Sequence, residues 1–365
     1  MDKAHLDQNN CLVFETGILS DHTLHPIWLR ERISGDKYID VNNLQRLYEP
    51  SLLENTIKIE KFNISKDFFE VTFNDGKSGI YFIKELFDEI NEFDPIPKKQ
   101  SWKNNLKELP FHDYSIIANS KDNLIKMLSD FQKLGFVILK NISKEKGTVI
   151  KFAQSLGPVR STNFGEHFDV YSKPNPNDLA YTGLALSAHT DNPYRKPIPG
   201  IQLLHCISNE AKGGDSTLVD GMAVEEYLKK HHKPFHEILS STKIHFRFTD
   251  KDIILENWGK LIELDEKGKF IKIRFSGRLD YVPLLEFQKL SLFYEARKKL
   301  FELYASKEFE INFRLSAGML LMFDNHRLLH GRSAYDQNTG FRHLQGCYIE
   351  HDSTEGKLRR LLKKH

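Results

Sequence analysis

The chain has 365 residues, more than one average domain requires, and 40% of them are hydrophobic and 12% aromatic, including 26 Phe. This composition excludes a disordered or collagen-like protein. The 52 basic and 50 acidic residues nearly cancel, so the net charge of +2 gives no general attraction to nucleic acid or membranes. No apolar run approaches the ~18 residues of a membrane span. The N-terminal MDKAHLDQNN is polar, unlike a signal peptide, and the three cysteines are too scattered for a disulfide framework. We therefore expect a cytoplasmic protein with no nucleic-acid or membrane partner.

The N-terminal quarter predicts a small strand-rich module. Residues 56–62 alternate between apolar and polar with a period of two, and residues 68–73 and 80–83 are further strand-like runs. Asn74-Asp75-Gly76 between the last two is a hairpin turn signal, and residues 84–93 indicate a short helix. Three prolines and scattered charges follow. We therefore expect a small α+β domain at residues 1–93 and a linker at 94–113.

The remainder, residues 114–365, predicts a different domain. A helix over 121–134 has Ser120 as its N-cap and Gly135 as its stop, and a second helix covers 148–156. One long helix opens at Pro283. Most of the rest consists of short strand-like runs, at 136–139, 180–188, 200–205, 216–219, 243–248, 269–275, 310–315, 319–323 and 344–349. Many short strands with few helices favour a mainly β fold, a sandwich or barrel with helical buttresses.

A metal-binding pattern stands at the end of one predicted strand. In His189-Thr190-Asp191 the outer two side chains point to the same side of an extended chain, so both can reach one point. His330, just past another apolar strand, is the candidate third ligand. Two His and one carboxylate are the ligand set of non-haem Fe(II), which keeps open positions for a cosubstrate and oxygen. A lone His-x-Asp pair among 16 His is more often an accident, so the surrounding residues carry the interpretation.

Two neighbouring features match the needs of a dicarboxylate cosubstrate. Arg342 follows 12 residues after His330, and its guanidinium can bind a carboxylate through two parallel N–H···O hydrogen bonds. Ser216, at the end of Gly213-Gly214-Asp215-Ser216, offers a second donor. The plainer alternatives are a surface ion pair for Arg342 and an ordinary turn for the two glycines.

Four long stretches then identify a family: residues 180–191, 199–206, 213–221 and 323–348. They resemble the γ-butyrobetaine hydroxylase and trimethyllysine hydroxylase family of TauD/TfdA-like, 2-oxoglutarate-dependent oxygenases, and the similarity runs from about Leu24 to the C-terminus. The resemblance implies a double-stranded β-helix (jelly-roll, cupin-like) catalytic domain. It also implies Fe(II) at His189, Asp191 and His330, with 2-oxoglutarate and O2 as cosubstrates and Arg342 and Ser216 holding the 2-oxoglutarate. The implied reaction is hydroxylation of a small trimethylammonium substrate.

The resemblance further implies an aromatic cage for the quaternary ammonium group, which is recognised by cation–π attraction because it has no proton to donate. The cage positions fall on Phe164, Phe168, Tyr181 and Tyr348. The alternative for Phe164 and Phe168, four residues apart, is a helical core pair.

The other end of the substrate is less determined. Asp178 stands where butyrobetaine hydroxylases have Asn, and an acid suits the α-ammonium of trimethyllysine. Ser276-Gly277 replaces the family's Asn-Asn, and Arg274 or Arg278 could hold a carboxylate or phosphonate. We expect Asn192, with Tyr194 and Arg195, at the pocket mouth. The substrate stays open among γ-butyrobetaine, trimethyllysine and a trimethylaminoalkyl phosphonate.

One departure and two alternatives complete the expectations. Animal relatives resembling this chain hold a structural zinc in the N-terminal module, but residues 31–38 contain no Cys and Gly76-Lys77 no His, so we predict no zinc. A betaine-binding sensor on a degenerate barrel is the non-enzymatic alternative, and a zinc hydrolase is another. Succinate release and Fe(II) dependence distinguish them. A homodimer is left open.

Overall fold

The computed structural model describes residues 2–171 and 182–363, and its contacts divide the chain into the units Met1–Asp94 and Pro95–His365. Asp178 and Tyr181 lie outside the described residues. The stretch 95–113, expected as a linker, falls within the second unit, where Trp102 is buried against Phe136.

Two small antiparallel sheets form the first unit, with strands in chain order in each. One contains β1 (Ala4–Leu6), β2 (Leu12–Phe14) and β3 (Thr23–Leu24), and the other β4 (Ile59–Ile64), β5 (Phe68–Phe73) and β6 (Ser78–Phe82). Helices α1 (Pro26–Glu31) and α2 (Ile83–Ile90) and a 3-10 turn at Pro50–Leu52 complete it. The predicted β5–β6 hairpin is present, and Gly76 adopts the positive φ of 75° that its turn requires.

A buried arginine links two parts of this unit. Arg30 in α1 donates from Nε to Asp75 Oδ2 in the β5–β6 turn, at 2.8 Å. Its guanidinium lies 5.8 Å from the ring centre of Tyr38 and 5.5 Å from that of Tyr48, within cation–π range. The unit is thus held by its apolar core together with this cation cluster.

Two mainly antiparallel sheets form the centre of the second unit, and their strand orders cross over in the manner of a jelly roll. The six-stranded sheet has the order β7 (Phe111–Asp113), β8 (Phe136–Lys140), β20 (Met319–Asp324), β11 (Ile201–Asn209), β23 (Arg342–Ile349), β9 (Phe168–Val170). The four-stranded sheet has the order β10 (Leu186–His189), β21 (Leu328–Arg332), β13 (Ser216–Asp220), β19 (Glu310–Phe313). The predicted mainly β fold, a double-stranded β-helix, is confirmed.

The remaining strands form three small sheets, and seven helices in the described part of this unit surround them. The strands are β12 (Lys212–Gly213) with β22 (Tyr335–Asp336), β14 (Lys243–Thr249) between β15 (Ile254–Lys260) and β18 (Asp280–Tyr281), and β16 (Ile262–Leu264) with β17 (Phe270–Ile273). The helices are α3 (Tyr114–Ile117), α4 (Lys121–Leu134), α5 (Thr148–Leu156), α6 (Gly221–His231), α7 (Lys233–Ser241), α8 (Phe287–Tyr304) and α9 (His351–Leu362).

Strand β8 shows how the large sheet is covered on both faces. Val137 and Leu139 belong to the apolar cluster with α4, α5 and α9, whereas Phe136 and Ile138 belong to the cluster with strand residues of both sheets. A strand buried on both faces reads as a continuous apolar run, which is what Phe-Val-Ile-Leu shows. A third apolar cluster packs helices α6, α7 and α8 against strands β14, β16 and β17.

The predicted helix signals of α4 are confirmed, since the Ser120 side chain accepts from the Asn123 amide and Gly135 follows with φ 79°. Among the described helices, none is both long and apolar enough to cross a bilayer.

Candidate metal and substrate site

The three predicted metal ligands come together between neighbouring strands. His189 at the end of β10 is the register partner of His330 on β21, and Asp191 follows two residues later. Their donor atoms all lie within 4.8 Å of one another. Asp191 Oδ1 is 3.4 Å from His189 Nε2 and 3.7 Å from His330 Nε2. One ion can therefore contact all three.

The electrostatics keep these groups in the forms that a cation needs. His189 Nδ1 lies 2.9 Å from the Ser187 carbonyl and can only donate to it, so Nε2 is the nitrogen turned toward Asp191. Burial and the neighbouring His189 lower the pKa of His330 to about 3, so this imidazole is neutral. Burial opposes ionisation of Asp191, but His330 and His189 outweigh it and hold the pKa of its carboxyl below the usual range. Two imidazole nitrogens and one carboxylate oxygen are a ligand set that fits Fe(II).

Asp191 itself is fixed by a side chain that sequence reasoning missed. Asn325 is fully buried; its Oδ1 accepts from the Asp191 amide at 2.7 Å and its Nδ2 donates to the Asp191 carbonyl at 3.0 Å. The one sequence feature that points to it is its position in Asp324-Asn325-His326, in the short connection between strands β20 and β21. This pair of bonds orients the backbone from which the ligand carboxylate projects.

A cavity of about 340 Å³ opens beside the triad. Most of the predicted site residues in the described part of the chain line it, namely Phe164, Phe168, His189, Asp191, Asn192, Ser216, His330, Arg342 and Tyr348. The sequence therefore predicted much of this lining.

One end of the cavity suits a carboxylate. Arg342 is 5% exposed, and its Nε is buried without a hydrogen-bond partner among the described residues. Burial and then the nearby Arg332 lower its pKa to about 10, so it remains charged at neutral pH. Arg332 donates to the carbonyls of Thr182 and Leu184, and Ser216 is its register partner on β13. An anion with two carboxylates, as in 2-oxoglutarate, fits such a buried cationic end.

Aromatic rings form another wall. Phe168 and Tyr348 have ring centres 5.3 Å apart, and Phe164 lies 5.9 Å from Phe248. Tyr194 stacks on Phe248 at 4.9 Å. The alternative of a helical core pair for Phe164 and Phe168 is wrong, because Phe164 lies in a turn and Phe168 begins strand β9. Phe248 was missed, since nothing in the sequence distinguishes it among 26 Phe.

Of the two arginines predicted as candidate anion clamps, one lines the cavity and the other does not. Arg278 lines the cavity with Asn192 and Ser276, whose Nδ2 and Oγ are buried without a hydrogen-bond partner among the described residues. Arg274 is instead buried in an ion pair with Glu263 and does not line the cavity, so its proposed role as an anion clamp is wrong.

Comparisons with known proteins agree with this geometry. Residues 102–348 match the family model "Taurine catabolism dioxygenase TauD, TfdA family". The chain is 32% identical to gamma-butyrobetaine dioxygenase of Pseudomonas sp. (strain AK-1), covering 92% of this chain and 89% of that protein. The human gamma-butyrobetaine dioxygenase is 32% identical over 100% of this chain and 96% of its own.

More distant relatives include the mitochondrial trimethyllysine dioxygenase of Mus musculus, 26% identical over 92% of this chain and 82% of that protein. Among solved structures, an asparagine oxygenase in complex with Fe(II), 2S,3S-3-hydroxyasparagine and succinate has a TM-score of 0.50 at 16% identity. It covers 63% of this chain and 79% of its own, and the likeness supports the fold.

Proposed function

This chain belongs to the taurine catabolism dioxygenase TauD, TfdA family and is an Fe(II)- and 2-oxoglutarate-dependent dioxygenase, and we propose that it hydroxylates a small zwitterion bearing a trimethylammonium group. The observation that carries the proposal is a wall of aromatic rings in the same cavity as the His189, Asp191 and His330 cluster. The gamma-butyrobetaine dioxygenase relatives support the same substrate class.

In this proposal each group of residues has one task. His189, Asp191 and His330 hold the iron, and Arg342 and Ser216 hold the far carboxylate of 2-oxoglutarate. Bound iron supplies the chemistry by which one oxygen atom of O2 enters the substrate C–H bond and the other enters succinate, with loss of CO2 from 2-oxoglutarate. The protein decides which carbon is reached, because the two ends of the substrate are fixed.

The aromatic wall is proposed to hold the quaternary ammonium. Phe164, Phe168, Phe248 and Tyr348 offer ring faces in the described part of the cavity. A desolvated cation gains on the order of 2 kcal/mol against such faces, whereas a primary ammonium needs hydrogen-bond acceptors that these rings do not supply. Tyr181 stays a predicted member, outside the described residues.

The polar part of the cavity lining is proposed to hold an acidic group. Buried donors without protein partners are costly, and Ser276 Oγ and Asn192 Nδ2 line the cavity together with the Arg278 cation. A carboxylate or phosphonate would satisfy them, which favours γ-butyrobetaine or a trimethylaminoalkyl phosphonate. Trimethyllysine stays the alternative, since it would need Asp178, outside the described residues, to meet its α-ammonium.

A screen of trimethylammonium compounds for oxygen-dependent succinate formation tests the proposal. We expect strong stimulation by a zwitterion with a carboxylate or phosphonate at its far end, and weak stimulation by the isosteric primary amine. Stimulation by neutral tert-butyl isosteres equal to that by the cations would contradict the cation–π assignment. A compound that binds without any succinate release would favour the betaine sensor.

We also propose that the enzyme acts in the cytoplasm. The three cysteines are all free and buried, which suits a reducing compartment. Cell fractionation followed by detection of the chain tests this, and recovery outside the cytoplasm would contradict it.

A further inference from the structure

Tyr348 touches both halves of the site. Its side chain lies against Phe168, with ring centres 5.3 Å apart, on the aromatic wall. Its hydroxyl donates to Asp191 Oδ2 at 2.7 Å. Tyr348 is 4% exposed, so water does not compete freely for this bond. One side chain thus contacts both the aromatic wall and a candidate metal ligand.

The bond divides the two carboxylate oxygens of Asp191 between two partners. Oδ1 is the oxygen 3.4 Å from His189 Nε2 and 3.7 Å from His330 Nε2, and it faces the point where an ion can sit. Oδ2 is occupied by the Tyr348 hydroxyl. A carboxylate with one oxygen so occupied offers a metal a single oxygen. A carboxylate that swung to chelate with both would close a position that a cosubstrate or oxygen needs.

We propose that Tyr348 is a positioning residue for the metal centre, whose hydroxyl holds Asp191 to one-oxygen coordination while its ring serves the substrate wall. This inference rests on the proposed iron site at His189, Asp191 and His330. Because outer partners of metal ligands set their orientation and basicity, loss of the hydroxyl should change the metal site even without substrate.

The substitution Tyr348→Phe tests this, since it removes the hydroxyl and keeps the ring. Chelator-treated protein is titrated anaerobically with Fe(II) against a chromophoric competitor, and with Co(II) followed by its visible absorption. We expect about 10- to 100-fold weaker Fe(II) binding. We also expect a Co(II) spectrum shifted toward higher coordination, because the freed Asp191 can bind through both oxygens.

Two matched variants separate this role from others. Tyr304→Phe removes another fully buried tyrosine hydroxyl, one without a hydrogen-bond partner among the described residues, and should leave metal affinity unchanged. Phe248→Leu removes a part of the aromatic wall whose ring contacts are with Phe164 and Tyr194, and it should weaken trimethylammonium binding without changing Fe(II) affinity. Thermal unfolding of the apoproteins checks that each variant folds.

The outcomes distinguish the inference from its premise. Suppose that wild-type protein binds Fe(II) and that His189→Ala does not. If Tyr348→Phe then binds Fe(II) as tightly as wild type and gives the same Co(II) spectrum, the positioning role is wrong and the iron site stands. If His189→Ala leaves Fe(II) affinity unchanged, the iron site itself is wrong. If Tyr348→Phe unfolds, 4-fluorophenylalanine incorporated at position 348, which fills the space of the hydroxyl without its proton, replaces it in the same titrations with the same expected and contradicting results.

Discussion

The cosubstrate end of the cavity gives the sharpest single substitution. Arg342→Lys keeps the positive charge at a position that is 5% exposed but replaces a planar fork of donors by one ammonium group. Arg342 Nε has no hydrogen-bond partner among the described residues, so a bound carboxylate would supply one. The substitution therefore removes geometry and leaves charge.

The expected loss follows from the hydrogen bond that lysine cannot replace. A hydrogen bond to a charged group contributes about 1.5–3 kcal/mol when desolvated. At about 1.4 kcal/mol per tenfold change in affinity, this corresponds to roughly 10- to 140-fold weaker binding of 2-oxoglutarate. Binding of the trimethylammonium substrate should change by less than about threefold, because the aromatic wall does not include Arg342.

Calorimetric titration of the anaerobic Fe(II) protein with 2-oxoglutarate measures this directly. Arg360→Lys, an exchange at an exposed position on α9, is the control and should bind normally. Unchanged 2-oxoglutarate affinity in Arg342→Lys would refute the assignment. Arg332, whose guanidinium also lines the cavity, would then be the residue to test.

Three further substitutions test other parts of the structure. Phe248→Leu should weaken binding of the trimethylammonium substrate by about 1–2 kcal/mol, or about 5- to 30-fold, and binding of its neutral tert-butyl isostere by less, in competition assays. Asp220→Asn should lower the free energy of unfolding by about 3–5 kcal/mol in urea, because it leaves the fully buried Arg327 guanidinium without its carboxylate. Burial lowers the pKa of His205 to about 4, against about 6.5 in the unfolded chain. The contribution of His205 to the free energy of unfolding is therefore complete above pH 6.5 and is lost as the pH falls toward 4. His205→Leu should remove about 3 kcal/mol of that pH dependence.

Each of these has a control and a contradicting result. Phe82→Leu, at an exposed position on β6 of the first unit, is the control and should not change substrate binding. If Phe248→Leu weakens binding of the cation and of the neutral isostere equally, the wall acts only as an apolar surface. Asp88→Asn, which breaks a surface pair with Lys84, should lower the free energy of unfolding by about 1 kcal/mol at most. A loss that small for Asp220→Asn would contradict the reasoning about the buried pair. For His205→Leu the control is the comparison above pH 6.5, where wild type and variant should differ by a constant amount, and an equal pH dependence of the two between pH 6.5 and 4 would contradict the reasoning.

Local signals predicted the elements that lie closest to the site. The His-x-Asp spacing, the second His beside an apolar strand and the later Arg are local patterns, and strands β10, β21 and β23 bring those residues to one cavity. Helix α4 was predicted to its residue bounds because a serine cap and a glycine stop are local chemistry. Strand β8 was predicted because a run buried on both faces is apolar throughout.

What the sequence did not predict depends on contacts between distant residues. Helices α1, α3, α6 and α7 were not predicted, because a short apolar run does not distinguish a helix from a strand. Asn325 acts on Asp191 from 134 residues away, and Phe248 reaches the cavity from a separate sheet. The sequence makes Arg274 a plausible ligand for an anionic substrate group, but in the fold its guanidinium pairs with Glu263. Such pairings arise from the tertiary fold and have no sequence signature of their own.

The most direct test of the central claim is the stoichiometry of one reaction. Wild-type protein with Fe(II), O2 and 2-oxoglutarate is supplied with γ-butyrobetaine or its phosphonate analogue, and succinate and hydroxylated product are both quantified. We expect equal amounts of the two, and neither product from His330→Ala. Succinate formed at the same rate with and without every trimethylammonium compound tested, and no hydroxylated product, would contradict it.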